Sequence, residues 1–384
     1  MSLFADNPPA ANLTGVTAPA SAKAGERRPR GRRVVGWALL CGALLGTFAF
    51  ALIPAPYVIE EPGPVFNTLG SAPFDNGTRP LIQIPSQKTY PTAGALDLLT
   101  VDIIGGPENS ASWLQIARAW LDPSKAVVPV ENIFQPGVTE KQSEAEDAAD
   151  MANSKSAAVA AALKSLGYTL PQTLTVGALT PNSPSEGLLK VGDSILSVNN
   201  EALSDTADIR SILAKAVPGK SVSIQILRAG KPQEVTVLPV LSDEVTPAPV
   251  IGIYPGVHYA FPFAVKIQLQ NVGGPSAGQM FALGIIDKLT PGLLNGGAKV
   301  AGTGTIDGDG NIGAIGGIRQ KLYGAKKAGA AWFLAPYSNC NEVTGHIPEG
   351  LTVFAVKTLK DSLAALTAIR TKAQTSDLLT CPAK

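Results

Sequence analysis

The chain is poor in charge: Asp, Glu, Lys and Arg make up 16% of its 384 residues, against roughly 25% in an average soluble protein. With 45% hydrophobic residues, that scarcity excludes general disorder. Cysteine and histidine are rarer still, at three and two. His258 and His346 stand alone and no cysteine pair has ligand spacing, so neither a zinc site nor any other metal or cofactor is expected. The net charge of +1 hides a basic start, with six Lys/Arg and two Asp/Glu in residues 1–33 that leave −3 for the rest. A basic surface for nucleic acid is therefore excluded. What is plentiful is turn-forming residue, 39 Gly and 31 Pro, and at roughly 150 residues per domain the length predicts two or three folded units.

Residues 34–53, VVGWALLCGALLGTFAFALI, carry no charge, and twenty helical residues rise roughly 30 Å, one bilayer crossing. Arg27, Arg28, Arg30, Arg32 and Arg33 precede the run, while Glu60 and Glu61 follow it. The positive-inside bias then predicts a single-pass protein of the cell membrane, with a cytoplasmic tail over 1–33 and everything past residue 54 outside. Ala49 and Ala51 also form an A-x-A pattern, but the apolar run exceeds the h-region of a cleaved signal. On the oxidising side of the membrane Cys340 and Cys381 are expected to form a disulfide tying the C-terminal tail, 371–384, to the last domain. Cys41 lies within the span as a small hydrophobe.

Beyond the span the organisation reads as α+β. Residues 54–166 form an α/β region with β-like runs at 81–84 and 95–104, a helix around Trp113 to Trp120, and an Ala-rich helix from Glu140 to Leu166 stopped by Gly167. Residues 167–241 read as a small β-rich domain. In its first closing strand Val222, Ile224 and Ile226 alternate with Ser221, Ser223 and Gln225. The phrase SPSEGLLKVGDSILSVNNEAL resembles the middle of a PDZ domain, a module that takes an extended peptide beside an exposed strand. A spacer without a working groove is the alternative, since no Gly-Leu-Gly-Phe loop is present.

The chemistry concentrates in residues 242–370. In NVGGPSAGQMFALGIIDKL the spacing of Met280, Leu283, Ile286 and Leu289 predicts a helix, with Pro275 at its first position and Ser276 in its first turn. There, free backbone N–H groups and the positive dipole end converge, which suits an oxyanion or a phosphate. In GAIGGIRQKLYGAKKAGA the helical period gathers Ile318, Leu322, Ala325 and Ala328 on one face, and Lys321 falls among them, whereas Arg319, Lys326 and Lys327 point to the polar side. Desolvation lowers a lysine pKa, and a neutral lysine accepts a proton. A serine at a helix start and a buried lysine are the parts of a nucleophilic dyad.

The order GGPSAG, AGTGTIDGDGNIGAIGGIRQK, KKAGAAWFLAP resembles the proteolytic domain of the Lon family of serine peptidases over about 110 residues. The resemblance implies that Ser276 is the nucleophile, Lys321 the general base and Thr303 the support of the lysine. Thr305 stands where the family commonly has an acid. Ser276 with Gly273 or Gly274 would supply oxyanion N–H groups. The combination of span, PDZ domain and proteolytic domain resembles the membrane-bound, PDZ-containing Lon-like peptidases of Gram-positive bacteria. No G-x-x-x-x-G-K-[ST] run occurs, so the expected activity is endopeptidase cleavage of polypeptides without ATP. Homo-oligomeric ring assembly is implied by the family alone. The rival reading is a membrane-tethered PDZ binding protein whose Lon-like domain is inactive.

Overall fold

The computed structural model describes residues 30–74, 77–134, 140–180, 182–203, 206–216, 219–242, 247–270 and 272–381. Most of the expected basic tail, residues 1–29, lies outside the described residues. Helix α1 spans Arg30–Leu52 and belongs to a unit ending at Ile53, and Pro54–Lys384 form a second compact unit. The membrane span expected over 34–53 is not upheld: among the described residues no helix is long and apolar enough to cross a membrane. Helix α1 opens inside the arginine cluster at Arg30. The single-pass placement, with its extracytoplasmic catalytic domain, falls with the span.

The second unit is α+β. Its main elements in chain order begin with β1 (Tyr57–Asn67), β2 (Ala95–Ile104), α2 (Trp113–Trp120), β3 (Ala126–Pro129) and α3 (Glu140–Ser165). There follow β4 (Gln172–Leu179), β5 (Ser194–Val198), α4 (Thr206–Ala214), β6 (Val222–Arg228), β7 (Lys231–Val237) and β8 (Ile253–Tyr259). The last stretch holds α5 (Gly278–Leu289), β9 (Lys299–Gly302), α6 (Ile318–Lys327), β10 (Trp332–Pro336), α7 (Cys340–Val343), β11 (Thr352–Val356) and α8 (Leu359–Thr371).

One sheet has the order β11-β10-β9-β2-β1-β3, parallel from β11 to β2 and antiparallel at β1 and β3. Parallel strands covered on both faces lose polar alternation, and Phe333, Leu334 and Ala335 are accordingly buried without a break. On β2 successive side chains separate the faces. Leu96 and Leu98 join the cluster of Met280 and Leu283 from α5, whereas Leu99 joins that of Ile318 and Leu322 from α6. Helices α5 and α6 thus lie on opposite faces of the sheet. Strand β9 stops at Gly302, and past the carboxyl end of such a strand, groups from both faces can meet. Half of this sheet comes from residues before 130, so the stretch read from sequence as a separate α/β region shares its core with the C-terminal segment.

The second sheet is antiparallel, ordered β7-β6-β5-β4-β8. Val222, Ile224 and Ile226 are buried in it against Ile209, Ile212 and Leu213 of α4. Its outer strand β8 lies past residue 241, where the sequence grammar ended. Helix α3 connects the sheets, packing Ala158, Val159 and Ala162 into the cluster that holds Phe281 of α5.

Cys340 of α7 is joined to Cys381 by a disulfide, with Cα atoms 5.0 Å apart, and the tail beside it accepts a hydrogen bond from Ala355 N–H at Leu379 O, 2.8 Å. Replacing Cys381 with Ser opens a link across 41 residues, for which loop-closure entropy sets a loss of at most about 4 kcal/mol. The expected outcome is a lower thermal midpoint by calorimetry, matched by reducing the wild type. An unchanged midpoint would show that the bridge does not stabilise the tail.

Candidate active site

The serine and the lysine arrive from opposite faces of the sheet. Helix α5 begins at Gly278 with Ala277 as its N-cap, so Ser276 sits in the turn ahead of the helix rather than in its first turn. The reason is local: Gly274 takes φ +76°, and Gly278 N–H bonds back to Pro275 O at 3.4 Å, closing a turn over Ser276 before helical bonding starts. Pro275 is therefore outside the helix and not its first residue.

Lys321 comes from α6, whose N-cap Gly317 has φ +65°. A Cβ at that position would lie 2.6 Å from Val101, so glycine is what lets the helix start against β2. The helical period then does what the apolar spacing implied. Ile318, Leu322 and Ala325 are fully buried and Lys321 is 3% exposed, while Arg319, Lys326 and Lys327 are exposed.

Past the end of β9 these parts meet. Lys321 Nζ donates to Ser276 Oγ at 2.8 Å and to Thr303 Oγ1 at 3.2 Å. Thr303 Oγ1 in turn donates to the Ser276 carbonyl at 2.9 Å, and Gly304 N–H reaches the same carbonyl at 2.9 Å. Burial pushes the Lys321 amine down from 10.5 to about 8, with Glu60 pulling it back up. Glu60, on β1, is itself raised by burial and then by Glu342, against the pull of Lys321. An alcohol beside an amine that is uncharged at mildly alkaline pH is the equipment of nucleophilic catalysis.

A cleft of about 780 Å³ opens on this pair, lined by Ser276 and Lys321 together with Phe66, Phe74, Val101 and Leu269 among others. Gly273 and Gly274 also line it, but Gly274 N–H donates to the Asp147 carbonyl of α3 at 3.0 Å, so that candidate oxyanion donor is already engaged. Cys340 and Cys381 are not among the lining residues, and neither are His258 and His346. Sequence reasoning missed Glu60, Asp147 and Ser154, whose Oγ donates to Pro275 O at 2.9 Å. All three sit far from the motifs in sequence, and only the long-range packing of β1 and α3 brings them in.

Residues 150–238 match the family model of the PDZ domain, and residues 270–368 match that of the Lon protease (S16) C-terminal proteolytic domain. Lon protease of Buchnera aphidicola subsp. Schizaphis graminum is 36% identical over 93 residues, 23% of this chain and 12% of that protein. Lon protease 2 of Bacillus subtilis is 28% identical over 197 residues, 50% of this chain and 33% of that protein. The chain thus spans a third or less of the length of these relatives. It carries a PDZ domain and a proteolytic domain of the Lon type, which supports its assignment as a serine peptidase.

The depressed lysine leaves a mark on stability. Its folded value of about 8 lies below the ordinary 10.5, so between those pH values the unfolded chain binds more protons and wild-type stability rises with pH. Lys321→Met removes that dependence. The variant is expected to exceed wild type in stability at pH 7, with the gap closing by on the order of 3 kcal/mol towards pH 10.5. Denaturant unfolding of both proteins at pH 7, 9 and 10 measures this, and a gap constant with pH contradicts a desolvated lysine.

Proposed function

We propose that the protein is an endopeptidase in which Ser276 is the nucleophile and Lys321 the general base, acting on unstructured polypeptide without ATP. The observation that carries this reading is the 2.8 Å hydrogen bond between Lys321 Nζ and Ser276 Oγ at the floor of an open cleft. With the amine neutral, Nζ takes the hydroxyl proton as Oγ attacks the scissile carbonyl. The tetrahedral oxyanion is held by the N–H of Ser276 and that of Gly273, because Pro275 has none and Gly274 is bonded to α3. Each such donor is worth roughly 3 to 4 kcal/mol in the transition state. Collapse breaks the C–N bond, the Nζ proton passes to the departing amine, and an acyl-serine remains. A water then gives its proton to Nζ as its oxygen attacks the ester, and Oγ leaves, taking the proton back.

Thr303 keeps this geometry by binding the lysine and the Ser276 carbonyl at once. The PDZ domain supplies recruitment, taking an extended segment of the substrate beside an exposed strand. Nothing in the 384 residues forms a G-x-x-x-x-G-K-[ST] loop, which favours substrates already unfolded or nicked.

On an unfolded protein substrate without nucleotide, Ser276→Ala and Lys321→Ala are each expected to lose at least ~10³-fold in kcat/KM. Wild-type activity is expected to climb as pH rises through about 8, the range where Lys321 loses its proton. Cleavage by all three proteins at equal rates defeats the dyad. No cleavage by any of them leaves a peptide-binding protein.

A further inference from the structure

The turn that carries Ser276 is chemically loose. Two glycines open it, and Pro275 has no N–H with which to anchor itself. Yet Oγ has to stay within a few tenths of an ångström of its place beside Lys321, because a displacement near 1 Å costs on the order of a hundredfold in rate. The β9 side holds only the Ser276 carbonyl, through Thr303 Oγ1 and Gly304 N–H. Two further residues of the turn are held by α3. Gly274 N–H donates to the Asp147 carbonyl at 3.0 Å, and Ser154 Oγ donates to the Pro275 carbonyl at 2.9 Å.

Ser154 is out of place by every local rule. It stands in an alanine-rich helix, where serine is a weaker helix former than alanine, and a mid-helix hydroxyl commonly bonds back to the carbonyl one turn earlier. Here it is 4% exposed and spends its proton across the interface instead. The approach is close: a Cβ on Gly278, the first residue of α5, would lie 2.9 Å from Ser154 Oγ. A side chain on Gly273 would lie 2.6 Å from Asp147 Cβ. The turn and the helix are thus fitted to each other at both ends, without space for a methyl group between them.

We propose that Ser154 is a positioning residue for the nucleophile, holding Pro275 so that Ser276 Oγ stays on the lysine. This rests on the dyad reading of the site. Ser154 is not itself among the residues lining the cleft and reaches it through the Pro275 carbonyl, so its loss is expected to act on placement of Oγ and not on the lysine proton or on direct contact with substrate. Ser154→Ala is expected to lower kcat by 10- to 100-fold with KM within twofold of wild type. The midpoint of the alkaline activity limb should stay where it is, and the labelling rate of Ser276 by a fluorophosphonate should fall in step with kcat. Ser154→Thr, which keeps the hydroxyl, is expected to regain most of the rate.

Three results would overturn the proposal. They are a kcat for Ser154→Ala within twofold of wild type, a loss that disappears on cooling and tracks the unfolded fraction, and a shift of the pH midpoint with the rate. Should Ser154→Thr fail to fold, the kcat-against-KM split and the fixed midpoint of Ser154→Ala decide alone. Ser276→Ala in parallel separates the two readings: if it cleaves like wild type the dyad itself is wrong, whereas an inert Ser276→Ala beside a fully active Ser154→Ala removes only the positioning role.

Discussion

A lysine kept from water is the constraint around which the second unit is arranged. An ammonium deprived of hydration without full compensation is costly, and Lys321 shows this cost in a pKa lowered to about 8, bonded to two hydroxyls and with a partly buried acid, Glu60, drawing on it. Everything that dries the amine is ordinary core. Ile318, Leu322 and Ala325 share its helix face, and Ala301 and Phe333 of the sheet lie in the same cluster. The same packing that would stabilise a leucine at this position destabilises a lysine, so stability is given up locally to hold an amine with a lowered pKa.

That arrangement needs a particular route through the sheet. With α5 on one face and α6 on the other, serine and lysine could not meet through the strands themselves. They meet where β9 ends at Gly302, and Thr303, the next residue, is the hinge of the constellation because its one hydroxyl binds both partners. Helix α3 then approaches from the PDZ side of the chain and fixes what β9 leaves free. The Ser276 turn is therefore gripped from two directions by elements that are distant in sequence.

Much of the site was legible beforehand because helical periodicity is a local property. Lys321 betrayed itself as one cation on an apolar face, and Val222, Ile224 and Ile226 marked a half-buried strand by alternation. The placement of Ser276 was not legible. Spacing alone suggested a first helical turn, whereas the left-handed Gly274 and the bond from Gly278 to Pro275 hold it one step ahead. Availability of the Gly274 N–H was overestimated for a related reason, since the acceptor that occupies it, on Asp147, comes from another helix. Glu60 was noticed only as an acidic flank of a supposed membrane segment, and no helix among the described residues meets the length and apolarity of such a segment. Sequence windows also gave no hint that β1 and β2 belong to the sheet of the catalytic segment, because parallel pairing with β9 is set by packing across the chain.

The pairing of Ala95–Leu98 with Lys299–Gly302 orders events during biosynthesis. A ribosome emits the chain from its N-terminus, so β2 emerges early and waits for a neighbour encoded about two hundred codons later. Long-range parallel pairing is slow in any case. Until that late strand docks, there is no sheet end at which hydroxyl and amine can be joined. A half-made molecule thus lacks the pairing of Ser276 with Lys321.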